Sequence, residues 1–162
     1  MAATQNINTP ELGVSRDPGY VLPFVLADAQ AAAYAGCMAA QAVATGRIEL
    51  ATDKSGIVVL GRVEAYVDNA LTDQEVTIRP GIFRYLNDAS NPLSRKDIGE
   101  PCFVHGSDSD TVCGASGSTN KVAAGLVYDC ETVDGCDYVW VDQKVCALSL
   151  ARVRYAELGS ES

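Results

Sequence analysis

The sequence predicts a mostly β protein: a small β-barrel or β-sandwich-like domain preceded by an extended N-terminal arm. Three observations predict it. Short apolar runs separated by turn residues recur from residue 20 onward. Asp134-Gly135 stands between two such runs, a strong short-range hairpin signal. The run VTIRPGIFRY (76–85) carries two apolar pairs, Val76/Ile78 and Phe83/Tyr85, on opposite parities. One extra residue at Pro80-Gly81 would bring both pairs onto one face, so a bulged, curved strand is expected there.

Composition narrows the function classes. With 162 residues, 48% apolar and 20% charged, the chain can bury a core without needing disulfides, and it reads as one domain with tails. The formal net charge of −9, with no Lys/Arg run, disfavours a nucleic-acid partner, because phosphate backbones would repel the surface. No apolar stretch reaches membrane-spanning length, so no membrane partner is expected. The opening MAATQNINTPELGVSRDPGY has no basic segment followed by an apolar one. It therefore reads as lacking a secretory signal, and the six cysteines read as free thiols of a reducing cytoplasm.

The elements follow in order. Residues 1–20 are polar and punctuated by Pro10, Gly13, Pro18 and Gly19, an extended arm rather than core. Residues 20–26 read as a first strand, which Pro23 confines to an edge or a bulge. Residues 27–44 are ambiguous: their alanines favour helix, yet Gly36 interrupts them and no 3.6-residue stripe is present. Residues 57–67 give a buried run, IVVLG, and then the alternation Val63, Ala65, Val67.

After the bulged strand, Ser94 stands three residues ahead of Asp97 and Gly99 follows, the signature of a single capped helical turn. Residues 102–105 read as a strand, and 106–120 as a Ser/Gly/Asp/Thr loop with room for a short strand around Val112. Residues 122–133 and 136–141 form the hairpin. In a two-residue hairpin Val133 faces Cys136 and Cys130 faces Val139. Cys130 then shares a face with Tyr128, Val139 and Val141, while Cys136 points the other way, so the two thiols can neither bridge nor share a metal. Residues 142–162 fit a strand, through Leu148, Leu150, Val153 and Tyr155, or a helix, through Leu148, Ala151, Tyr155 and Leu158. The domain boundaries read from the sequence are thus an arm at 1–20, a β domain at 21–141 and an extension at 142–162.

No catalytic, cofactor-binding or metal-ligating residue is assigned. The cysteines lack the two close pairs of a zinc site, and Asp108, Asp110, Asp129 and Asp134 lack the spacing of a calcium loop. They read as caps of loop backbone. A hydrolase would have to use His105, the one histidine, with Cys102 or a serine; a half-exposed structural histidine is the plainer account. CGASGSTNK (113–121) lacks the spacing of a phosphate loop.

Five segments, in order and at similar separations, carry a resemblance: GRVEAYVDN (61–69), IRPGIFRYLND (78–88), LSRKDIGEPCFV (93–104), KVAAGLVYD (121–129) and YVWV (138–141). Together they resemble the decoration, or cement, proteins of tailed-bacteriophage capsids. LADAQAAAYAGCMAAQAVAT (26–45) is similar in position to that family's first pair of strands, which tips the alanine-rich segment toward β. The resemblance implies a compact β-barrel-like domain bound to the outside of an assembled phage head, with the major capsid protein as partner and a homotrimer as the working unit. It implies a virion location on the outer capsid surface after synthesis in the host cytoplasm, and it brings no catalytic residues. The loop at 106–120 and the residues after Val141 depart from the pattern. Another virion structural β-domain, such as a head-fibre base or a tail-associated protein, is the alternative.

Overall fold

The computed structural model describes residues 22–144, and within them a five-stranded sheet, curled into an open barrel whose edges meet at one bridge, is followed by a closed five-stranded barrel. The strands are β1 (Leu22–Val25), β2 (Ala32–Ala33), β3 (Met38–Ala42), β4 (Ile48–Leu50), β5 (Ile57–Val63), β6 (Val67–Asp68), β7 (Glu75–Arg79), β8 (Ile82–Asn87), β9 (Pro101–His105), β10 (Asp108–Cys113), β11 (Ala123–Val133) and β12 (Cys136–Asp142). The expected arm, residues 1–20, and nearly all of the expected extension lie outside the described residues.

The second barrel is closed. Its neighbours run β8-β12-β11-β9-β10 and return to β8, and every pair is antiparallel except β10 with β8. The first sheet runs β1-β7-β5-β3-β4. Its two edges meet at a single parallel bridge between Leu26 and Ile48, where the Ala27 amide donates to the Ile48 carbonyl at 2.7 Å. Arg47 sits on that seam, paired with Asp28 and Asp73 and donating to the Leu26 carbonyl. The small pair β2–β6 belongs to the first half.

The two barrels repeat each other residue by residue. In each, the first strand pairs with the fifth, the fifth with the fourth, the fourth with the second and the second with the third, and the third meets the first in parallel. Leu22 faces Ile78 as Phe83 faces Val141, and Phe24 faces Val76 as Tyr85 faces Val139. Ala39 faces Gly61 as Cys102 faces Gly125, and in both barrels the fourth strand then carries one extra residue, Leu60 or Ala124. Such a bulge bends the strand and lets it wrap a small barrel. Gly36 and Gly99 also correspond: both have φ near +90° (89° and 88°), and their amides donate to the carbonyls of Val63 and Val127. Only glycine takes that conformation without strain.

One core lies inside the first barrel, with Leu26, Cys37, Ala39, Ile48, Val63, Val76 and Ile78. The other fills the second barrel and extends onto the outer side of the first. Phe83, Tyr85, Cys102, Val104, Val112, Val127, Val139 and Val141 pack with Met38, Ala40, Ile57 and Val59 from β3 and β5. The Arg62 guanidinium lies over the Phe83 ring, 4.2 Å from its centroid. At the same junction the Asp53 carboxylate accepts from the Ser118 hydroxyl and the Thr119 and Asn120 amides, while the Asp53 amide donates to Gly106. Within 21–141, expected as one β domain, the described residues thus form two barrels, with the core of the second extending onto the outer side of the first.

Most expected elements are present at their places. The ambiguous segment 27–44 is β, as β2 and β3. The capped turn forms at Arg95–Asp97, where the Asp97 carboxylate accepts from the Ser94 amide at 2.8 Å, and Gly99 ends it at positive φ. The hairpin has the expected register, with Val133 opposite Cys136, Cys130 opposite Val139, and φ of 50° and 79° at Asp134 and Gly135.

Two details differ. Residues 76–85 are not one bulged strand: β7 ends at Arg79 in the first sheet and β8 begins at Ile82 in the second barrel. Val76 and Ile78 therefore enter one core, Phe83 and Tyr85 the other, and Gly81 is not among the glycines with positive φ. Tyr128 does not share a face with Cys130, because the register shifts between Val127 and Asp129; Val127 turns inward and Tyr128 is exposed. The short strand for which 106–120 had room around Val112 does form, as the six-residue β10, and a 3-10 turn follows it at Ala115–Gly117.

Candidate interaction surface

Side chains alternate along β8, β12 and β11, and the inward set is apolar. The outward set forms two cross-strand rows on adjacent strands. Arg84 stands opposite Trp140, which stands opposite Asp129, and Leu86 stands opposite Tyr138, which stands opposite Glu131. Arg84 is the hub. Its guanidinium carbon lies 4.4 Å from the Tyr138 ring centroid and 5.9 Å from that of Trp140, and it pairs with Glu131 at 2.9 Å. At the edge of the patch Arg95 pairs with Asp129 at 3.2 Å.

An Arg held between aromatic rings and a carboxylate is preorganised: little side-chain entropy is left to lose on docking. Tyr, Trp and Arg are also the residues that dominate binding energy at protein interfaces. The internal repeat supplies a control for this face. At the equivalent positions the first barrel has Pro23 opposite Thr77 and Val25 opposite Glu75. The cluster is therefore no requirement of the fold, in contrast to the glycines and core residues that recur in both barrels.

Residues singled out from the sequence for chemistry are dispersed. Cys102 points into the second barrel, its sulfur 3.4 Å from the Gly125 carbonyl, whereas His105 alternates outward. The pair a cysteine hydrolase would need is not brought together. His105 lies between two carboxylates, 3.7 Å from Asp88 and 3.5 Å from Asp108. Burial pushes the Asp88 carboxyl up, but hydrogen bonds from the Asn91 side chain and the Ser90 and Asn91 amides, with the nearby His105, outweigh it. The net result is a carboxyl below its ordinary range. Asp129 pairs with Arg95, and Asp134 sits in the hairpin turn. Among the described residues no three His, Cys, Asp or Glu side chains converge as metal ligands.

None of the five described cysteines forms a disulfide: Cys37, Cys102 and Cys113 are buried, Cys130 is half-buried and Cys136 is exposed. Cys130 and Cys136 face opposite sides of their hairpin, as the register requires. Burial, with a smaller push from Asp110, raises the Cys37 thiol to about 12. Burial, with Asp88 and Asp53, raises Cys113 to about 11. These are unreactive core thiols. Cys146 lies outside the described residues. Among the described residues no helix is long and apolar enough to cross a membrane.

Sequence reasoning assigned no role to Arg84, Tyr138 or Trp140. Hairpin alternation alone places Tyr138 and Trp140 together, but Arg84 joins them only through the non-local pairing of β8 with β12. Compared with models of protein families, with curated proteins and with solved structures, the chain matches none.

Proposed function

We propose that this chain is a capsid decoration protein that binds the outer surface of an assembled tailed-phage head, as a homotrimer contacting the major capsid protein, and stabilises the shell. The observation that carries this reading is the ordered series of five segments resembling that family, which runs from β5 to β12 and contains Gly61, Arg84, Gly99, Gly125 and Trp140. The Arg84–Tyr138–Trp140 face supports it, as a rigid patch that only the second barrel carries. A protein that binds only the assembled shell stabilises it by mass action, and linked copies raise the effective concentration at each shared site. Added to purified heads, the protein should saturate a fixed number of sites, and decorated heads should withstand heating that opens bare heads. Co-sedimentation with tails instead of heads would favour the alternative of a tail-associated β-domain.

A further inference from the structure

The repeat gives the outer face of β9 and β11 a meaning that neither barrel would have alone. Pro101 and Phe103 point outward from β9, and Ala123 and Leu126 outward from β11, with Phe103 opposite Ala123 and Pro101 opposite Leu126. All four are apolar and partly exposed. Their equivalents in the first barrel, by register, are Met38, Ala40, Val59 and Arg62. Those positions are the platform on which the second barrel sits: Met38 and Ala40 are 0% exposed, Val59 is 6% exposed, and Arg62 lies over Phe83. Each chain thus uses one copy of the platform internally and leaves the other uncovered by the opposite barrel.

The covering end is duplicated too. The second barrel meets the first through its Phe83 end, and the Gly106 carbonyl at that end accepts from Asp53. In the first barrel the residue equivalent to Gly106 is Val43, just beyond β3, and it is 63% exposed, a large apolar side chain at a hairpin tip. Among the described residues the outer platform has no covering barrel and the covering end has no platform, and the two complement each other between chains.

We propose that the Pro101–Phe103–Ala123–Leu126 face receives the first barrel of a second copy, end-on through Val43, in a head-to-tail contact that repeats the one between the two barrels of a single chain. A head-to-tail contact with the right rotation closes into a ring, so it names the surfaces for the trimer of the proposed function, while it stands apart from whether heads are the target.

The test is sedimentation velocity over a concentration series, using the full chain, Leu126→Glu, Val43→Glu, and an equimolar mixture of the two variants. Phe103→Glu serves as a second platform variant if Leu126→Glu loses its wild-type far-UV spectrum. The wild type is expected to sediment above monomer mass and each variant as a monomer. The mixture is expected at dimer mass, because it holds one intact platform and one intact covering end. A monomeric wild type at every concentration, variants that stay associated, or a mixture that stays monomeric would each overturn the proposal. A monomeric wild type whose form lacking residues 145–162 associates would assign the face to the chain's own C-terminal segment, and would equally overturn it. Head binding by a monomeric protein would remove this contact and leave the decoration reading standing.

Discussion

Gly61 and Gly125 occupy the same place in the two barrels. Each follows the extra residue of a bulge on the fourth strand, and their φ values are 157° and 159°. A Cβ at Gly61 would run into the Arg79 carbonyl, 2.8 Å from its carbon, and one at Gly125 into the Asp142 carbonyl, 2.7 Å from its oxygen. Arg79 and Asp142 are themselves equivalent, the last residues of the fifth strands. The bulge brings two backbones closer than a side chain allows, and this is how so few strands close a barrel.

Gly61→Ala and Gly125→Ala should therefore each destabilise by about 2–4 kcal/mol, from backbone strain plus overpacking. Gly56→Ala, at φ 80° with open space around the position, should cost only about 1 kcal/mol. Denaturant midpoints for the three variants check this, and equal losses would remove the close-approach argument.

The junction between the barrels has its own signature. Burial raises the Asp53 carboxyl, but hydrogen bonds from the Thr119 and Asn120 amides and the Ser118 and Asn120 side chains outweigh it, so its pKa is lowered on folding. A group depressed in the folded state stabilises above its unfolded pKa, about 3.9, and that contribution is lost as pH falls through the folded value. Asp53→Ala should cost about 1–3 kcal/mol at neutral pH and flatten the acid limb of stability. An unchanged profile below about pH 5 would show that Asp53 contributes no pH-dependent stability.

Inside the second barrel the Tyr85 hydroxyl donates to Gln143 Oε1 at 3.1 Å, and Gln143 Nε2 donates to the Ala124 carbonyl at 3.2 Å. Tyr85→Phe leaves a buried acceptor unpaired and should cost about 1–3 kcal/mol. Phe83→Ala removes a fully buried ring and should cost about 3–5 kcal/mol. Burial drives the Tyr85 phenol far above its ordinary range, so spectroscopic titration should leave Tyr85 protonated until the protein unfolds.

Thiol labelling of the native protein, mapped by peptide, should find that among the five described cysteines Cys136 is modified first and Cys130 slowly. Cys37, Cys102 and Cys113 should be protected until unfolding. Fast labelling of Cys102 would contradict its inward orientation.

What the sequence reveals is mostly local. Asp134-Gly135 sets the turn type, and the turn type sets the register from Val133 to Cys130. Ser94, Asp97 and Gly99 set the capped turn. Beyond the next bulge local reasoning fails, and Tyr128 is the residue that shows it, because nothing in its neighbours announces one extra residue. Pro80-Gly81 misleads for a related reason: a bulge and a passage between two sheets call for the same residue types. The tandem repeat is hidden because few equivalent residues are identical, Gly36/Gly99, Gly61/Gly125 and Val63/Val127 among them. The spacing also drifts, from Leu26/Asn87 to Gly61/Gly125, so no fixed period exists. The Arg84 face is hidden because it depends on a strand pairing far apart in the chain.

The proposed decoration of phage heads by this two-barrel chain is read directly from the isotherm of binding to purified, expanded heads. The full-length protein should saturate a fixed set of sites. Arg84→Ala and Trp140→Ala, each leaving the fold intact, should weaken binding by about 10-fold or more, as removal of an interface anchor does. Deleting residues 2–18 should weaken binding without unfolding the barrels. Full-length protein that leaves heads bare at every concentration would show that the chain is not a decoration protein.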